Sequence, residues 1–168
     1  MELELKARLD RGGLDETLGL LYGAGLEEAR ARCHRVMAAF ETAFGTAPEA
    51  LFSAPGRTEL GGNHTDHQRG RVLAAGVDLD ILAAAAVNHT GVVRFWSEGY
   101  PMIVVDLGDL QPKEEEKNSS AALIRGVAAR MAQLGCPLGD WGLDAALVSS
   151  VPGGSGLSSS AAFEVLVG

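Results

Sequence analysis

The chain has no excess of positive charge: 14 lysines and arginines stand against 22 aspartates and glutamates, a formal net charge of −8 over 168 residues. Nucleic-acid binding needs a basic face to displace counterions from phosphates, so that class of partner is excluded. A nucleotide substrate is not excluded, because one or two arginines can hold a phosphate inside an acidic protein. Cysteine is scarce. Cys33 and Cys136 lie far apart, and they predict two buried, reduced thiols rather than a disulfide scaffold. Long hydrophobic runs are also missing. The most apolar stretch, residues 74–87, is interrupted by Asp78 and Asp80 and cannot span a bilayer. The N-terminal MELELKARLD is charged and has no apolar signal-peptide core. These absences predict a soluble, cytoplasmic protein without nucleic-acid or membrane partners. What is present is ordinary globular composition, 46% hydrophobic and 21% charged, on a chain long enough for one domain with a real core.

Hydrophobic spacing predicts a short helix over 14–21 and a longer one over 26–44, where Ala29, Cys33, Val36, Phe40 and Phe44 form a stripe. Gly45 is placed to cap that helix, and Pro48 blocks its continuation. Residues 50–54 read as a short strand, 55–71 as a polar loop, and 72–87 as two strands broken at Gly76. Helix propensity alone would make 83–86 helical, but Leu79, Ile81 and Ala83 alternate as a strand does. Residues 92–96 and 102–107 flank Ser97-Glu98-Gly99-Tyr100-Pro101 as a hairpin. A charged connection over 111–120, a helix over 121–134, a strand over 143–148, a glycine-serine loop from Pro152 and a helix from about Ser159 complete the order. Helices mixed with mainly antiparallel strands predict an α+β domain. The last helix is apolar and has no C-terminal signal, so residues 1–168 read as an incomplete N-terminal domain, cut at the helix that follows the loop.

Two segments carry chemistry. The first is Pro152-Gly153-Gly154-Ser155-Gly156-Leu157-Ser158-Ser159-Ser160-Ala161-Ala162, between a strand and a helix. Glycines let backbone approach an anion, successive N–H groups make a concave site, and a helix N-terminus adds partial positive charge. Serine hydroxyls can cap that helix or reach phosphate oxygens or a metal ion. No lysine is present, which excludes a Walker loop. Ser159 stands where a dinucleotide fingerprint starting at Gly154 needs glycine, and Leu157 stands where a nucleophile elbow around Ser155 needs glycine. The plainer alternative is a serine-rich turn that only caps a helix.

The second segment runs from Ala54 to Gln68 and crowds Arg57, Asp66, His64 and His67 into a glycine-rich turn. Dense donors and acceptors suit a polyhydroxylated ligand, and an arginine suits charge developing on a transferred phosphoryl group. A solvated turn is one alternative. A metal site from His64, Asp66, His67 and His89 is another, disfavoured because the glycines and Asn63 argue against the helix that would set the histidine spacing.

The string Pro-x-Gly-x-Gly-Leu-Ser-Ser-Ser-Ala at 152–161 resembles the phosphate-binding motif of the GHMP kinase superfamily, which includes galactokinase, homoserine kinase, mevalonate kinase and phosphomevalonate kinase. The polar segment resembles the galactokinase signature Gly-Arg-x-Asn-Leu-Ile-Gly-Glu-His-Thr-Asp-Tyr. Arg57, Leu60, Gly62, His64, Thr65 and Asp66 match it, while Glu59, Gly61, Asn63 and His67 replace its Asn, Ile, Glu and Tyr. Asn63 thus puts an uncharged amide where the family uses a carboxylate on a sugar hydroxyl. Residues 72–75 with Asp78-Leu79-Asp80 resemble the strand pair after the signature, and Ile124-Arg125-Gly126-Val127 the helix before the phosphate loop.

The resemblance implies the ribosomal S5 domain 2-like fold and transfer of the ATP γ-phosphoryl group to the anomeric hydroxyl of galactose. It implies that Gly154, Ser155, Gly156, Leu157, Ser158, Ser159 and Ser160 cradle the ATP phosphates, with Ser160 on Mg2+. Arg57 would stabilise charge at the transferred phosphoryl group, and Asn63, His64, Thr65 and Asp66 would fix the sugar. In the family the catalytic aspartate and a glutamate ligand of magnesium lie downstream of the phosphate loop, with the second lobe. The resemblance therefore implies that these 168 residues alone are inactive. A non-catalytic galactose- or ATP-binding module, and a kinase for N-acetylgalactosamine or arabinose, remain as alternatives.

Overall fold

A computed structural model of the chain describes residues 2–62, 69–138, 140–153 and 156–168, with side chains from residue 5 onward. Its helices are α1 (Glu2–Asp10), α2 (Asp15–Tyr22), α3 (Leu26–Phe44), α4 (Ser120–Gln133) and α5 (Ser159–Val167). Its strands are β1 (Ala50–Gly61), β2 (Leu73–Val87), β3 (Val92–Ser97), β4 (Ile103–Asp106) and β5 (Leu143–Ser149). Among the described residues these strands form one sheet in the order β1-β2-β5-β3-β4. All neighbours are antiparallel except β3 and β5, which run parallel.

The sheet is covered on both faces, and the apolar run of β2 is the reason it can be. Leu82 and Ala84 join Ala146 and Val148 of β5 against Leu9, Leu18, Val36 and Phe40 of α1–α3. Ile81, Ala83 and Ala85 face the other way, with Phe95, Leu147, Ile124 of α4 and Ala162 of α5. Successive strand residues point to opposite faces, so a strand sandwiched between helix layers is apolar at every position. α3 covers the interval expected from its stripe, and Gly45 ends it in the left-handed region at φ 74°, its N–H returning to the Glu41 carbonyl at 2.9 Å.

Several expectations are corrected. α1 lies where no helix was expected; its buried Leu9 anchors it to the core. β1 continues through Gly61, into the stretch read as polar loop. β2 is one strand rather than two; the break expected at Gly76 is a register irregularity between Pro55 and Arg57, which opposes Gly56 to residues 77–79 while both strands continue. Both cysteines are free, but only Cys33 is buried; Cys136 is half-buried just past α4. Among the described residues no helix is long and apolar enough to cross a membrane.

Partly buried ion pairs fix the rest of the frame. Arg94 of β3 grips Asp144 of β5, its register partner, with Nε at 2.7 Å, and Asn88 adds a third donor at 2.6 Å. Arg125 of α4 holds both carboxylate oxygens of Glu116, at 2.7 and 2.6 Å, and so pins the charged connection to the helix.

Candidate functional site

The glycine-serine loop leaves β5 at Ser150 and enters α5 at Ser159. Gly156 has φ 77° and no atom within 4 Å of where a Cβ would stand, so this backbone is open to a ligand. Ser158 also takes the left-handed conformation, φ 58° and ψ 47°, directly before α5. Its carbonyl accepts the Ala162 N–H at 3.0 Å, while no side chain caps the helix start. The first N–H groups of a helix have no intrahelical partner, so those of Ser159, Ser160 and Ala161 are suited to an anion. Gly154 and Ser155, expected in the same cradle, lie outside the described residues.

The second element is the β1 segment around Arg57. Its N–H donates to the Leu157 carbonyl at 3.0 Å. Gly56 lies so close that a Cβ there would stand 3.0 Å from the same oxygen, 3.2 Å from Val77 Cγ2 and 3.3 Å from the Leu79 carbonyl. The bulge in the β1–β2 pairing therefore delivers Arg57 to the rim of the loop. The guanidinium is half exposed and bonds Glu59 through Nη2 at 2.9 Å. Glu59 is one of the positions that depart from the galactokinase signature, and the ion pair is its structural consequence. The connection between Gly61 and Leu73 carries Asn63, His64, Thr65 and Asp66; these four, with His67 of the metal alternative, lie outside the described residues. Among the described residues no cluster of three or more His, Cys, Asp or Glu could hold a metal ion.

A cavity of about 540 Å³ opens beside the loop. Leu147, Ser149, Val151 and Phe163, which flank the loop in sequence, form one wall, and Tyr100 and Pro101 of the β3–β4 hairpin form another. Apolar walls with a few hydroxyls suit a flat heterocycle.

Sequence reasoning missed a buried polar cluster behind the loop. Asp80 of β2 is 3% exposed. It accepts hydrogen bonds from Tyr22 of α2, from Ser53 of β1 at 2.6 Å and from Arg32 of α3 at 2.5 Å. Burial pushes its carboxyl pKa up, but the hydrogen bonds from Ser53, Tyr22 and Arg32 outweigh burial, and the net shift is downward. Burial, then the bond to Asp80, pushes the Tyr22 phenol up to about 12. A signal for this cluster was present. A lone aspartate within an apolar strand is costly unless paired, so Asp80 in β2 calls for buried partners.

The chain is similar to known proteins. A family model for the galactokinase galactose-binding signature matches residues 38–87. The galactokinase of Chloroflexus aurantiacus is 41% identical over 132 residues, covering 78% of this chain and 33% of that protein. A crystal structure of Lactococcus lactis galactokinase complexed with galactose aligns with a TM-score of 0.67 at 29% identity, over 78% of this chain and 34% of that one. Methanococcus jannaschii mevalonate kinase aligns with a TM-score of 0.58 at 13% identity, over 70% of this chain and 38% of that one, which bears on the fold alone. The chain spans about a third of the length of the curated relatives it matches. The α+β fold expected from the resemblance is the one observed.

Proposed function

From a chain that shares sequence and fold with the galactokinases over the third of them it spans, we propose that this region holds the sugar and the nucleotide phosphates of an ATP-dependent galactokinase. The observation that carries the proposal is the junction at Leu157. The strand bearing the signature arginine is hydrogen-bonded to the loop suited to phosphates, which joins the two halves of the proposed phosphoryl-transfer site directly. Such transfer is catalysed chiefly by positioning and charge stabilisation.

In this reading the α5 N-terminus and the open backbone at Gly156, with Gly154 and Ser155, receive the triphosphate, and the cavity beside the loop receives its base. Arg57 neutralises charge at the transferred phosphoryl group. Ser160, exposed in the first turn of α5, offers one oxygen to a magnesium ion carried by the triphosphate. Asn63, His64, Thr65 and Asp66 hold the sugar, with Asp66 accepting from its hydroxyls. The matched galactose-binding signature and the galactose complex of the Lactococcus lactis protein support galactose as that sugar. By the family resemblance, the groups that complete turnover are outside these residues.

Titration of the purified chain with Mg-ATP, galactose, N-acetylgalactosamine and arabinose tests the proposal. ATP and galactose are expected to bind, without ADP formation. Asp66→Ala is expected to lose the sugar and keep ATP. Failure of the chain to bind either ligand sinks the site; sugar affinity unchanged in Asp66→Ala removes the sugar assignment; preference for another sugar changes the substrate. Clear galactose-dependent ADP production overturns the proposed inactivity of these 168 residues.

A further inference from the structure

We infer that Asp80 is a positioning residue that holds the phosphate loop and the Arg57 segment in register with each other. The inference rests on the functional reading above for its consequence, but its geometry stands by itself.

Ser150 is the residue at which the chain leaves β5 for the loop. Its hydroxyl accepts the Asp80 N–H at 2.9 Å and lies 3.1 Å from the Asp80 carbonyl and 3.3 Å from its carboxylate. Its own N–H donates to the Asp80 carbonyl at 2.9 Å. One residue of β2 thus clamps the loop entry through both backbone and side chain. The same carboxylate accepts from Ser53, four residues before Arg57 on β1, and Asp80 is paired with Pro55, immediately before the bulge. Arg32 and Tyr22 fix the carboxylate from α3 and α2. The two arms that Asp80 anchors meet again where the Arg57 N–H bonds the Leu157 carbonyl, so a shift of the anchor moves one arm against the other there. A buried, fully satisfied polar network specifies one arrangement where an apolar contact tolerates several.

Asp144 supplies the control. It is equally buried, at 4% exposure, and also paired with an arginine, but it lies at the opposite end of β5. A purely structural carboxylate at either position would loosen the whole domain alike.

The test is amide hydrogen exchange of the ligand-free chain in Ser150→Ala, Asp80→Asn and Asp144→Asn. The Arg57 amide, bonded to Leu157, and the Ala162 amide, bonded to Ser158, report the two arms at their meeting point. The Asn88 amide, bonded to the Gly142 carbonyl, reports the Asp144 end. Ser150→Ala is expected to speed exchange at Arg57 and Ala162 about fivefold or more while leaving Asn88 unchanged. Asp80→Asn is expected to do so more strongly, and Asp144→Asn to show the reverse pattern. Should Asp80→Asn fail to fold, Ser150→Ala, which spares the ion pair with Arg32, decides alone. Wild-type rates at Arg57 and Ala162 in Ser150→Ala, or equal acceleration of all three amides in every variant, overturn the inference. In parallel, Mg-ATP affinity is expected to fall about threefold or more in Ser150→Ala at a temperature where it is fully folded. Failure of the unaltered chain to bind ATP counts against the functional reading and leaves the exchange result intact.

Discussion

The N–H of Arg57 bonds the carbonyl of Leu157 at 3.0 Å across 100 residues of sequence. This contact joins the edge strand of the sheet to the loop that follows its central strand. It is possible because Gly56 has no side chain and because β2 carries extra residues opposite it.

Gly56→Ala tests that junction. A Cβ there meets two backbone carbonyls at 3.0 and 3.3 Å, atoms that cannot swing aside as a flexible side chain would. Overpacking of this kind costs about 1–3 kcal/mol. Urea unfolding is expected to show that loss, together with weaker ATP binding. Wild-type values for both would mean that the loop is not seated against β1.

Glu59→Gln separates the ion pair with Arg57 from the fold. The pair is exposed, and exposed pairs contribute about 0.2–1 kcal/mol. Unfolding free energy is expected to change by no more than about 0.5 kcal/mol. Removing a carboxylate that competes for the guanidinium is expected to tighten binding of pyrophosphate, measured by calorimetry. Weaker binding would mean that Glu59 orients Arg57 rather than competing for it.

Alkaline titration reports the Asp80 cluster. Tyr22 binds its proton more tightly in the folded protein, with a pKa near 12, than in the unfolded chain, near 10. Its contribution is therefore complete below pH 10 and is lost as pH rises from 10 to 12. Solvent screening of the half-exposed ring reduces the effect to about 1 kcal/mol. Urea midpoints between pH 9 and 12 are expected to fall more steeply in the unaltered chain than in Tyr22→Phe. Parallel curves would place the phenol outside the network. At the acid end the lowered Asp80 pKa has the opposite sign: its contribution is present above the ordinary carboxylate range and is lost as pH falls.

Phe40→Ala probes the α3 face. Phe40 is fully buried and contacts Phe44 at 4.8 Å between ring centroids. Large-to-small replacement at such a site costs about 3–5 kcal/mol. A loss below about 1 kcal/mol by chemical denaturation would show that α3 is not part of the folding core.

Much of this architecture was legible in the residues. The stripe from Ala29 to Phe44, the turn at Ser97–Pro101 and the glycine-serine string each depend on neighbours a few positions apart, and local spacing reports such structure directly. The alternation of Leu79, Ile81 and Ala83 overrode alanine's helix propensity because strand geometry sends alternate side chains to opposite helix layers. Tertiary structure alone decided that β1 runs through Gly61, that Gly76 lies inside a continuous strand, and that Cys136 is only half-buried. Strand length depends on a partner's hydrogen bonds rather than on the strand's own letters. The pairing of Arg57 with Leu157, and the gathering of Tyr22, Arg32, Ser53 and Ser150 around Asp80, join residues from distant parts of the chain. Only the packed sheet brings them together, because no single segment records which distant carbonyl or hydroxyl will satisfy a buried polar group.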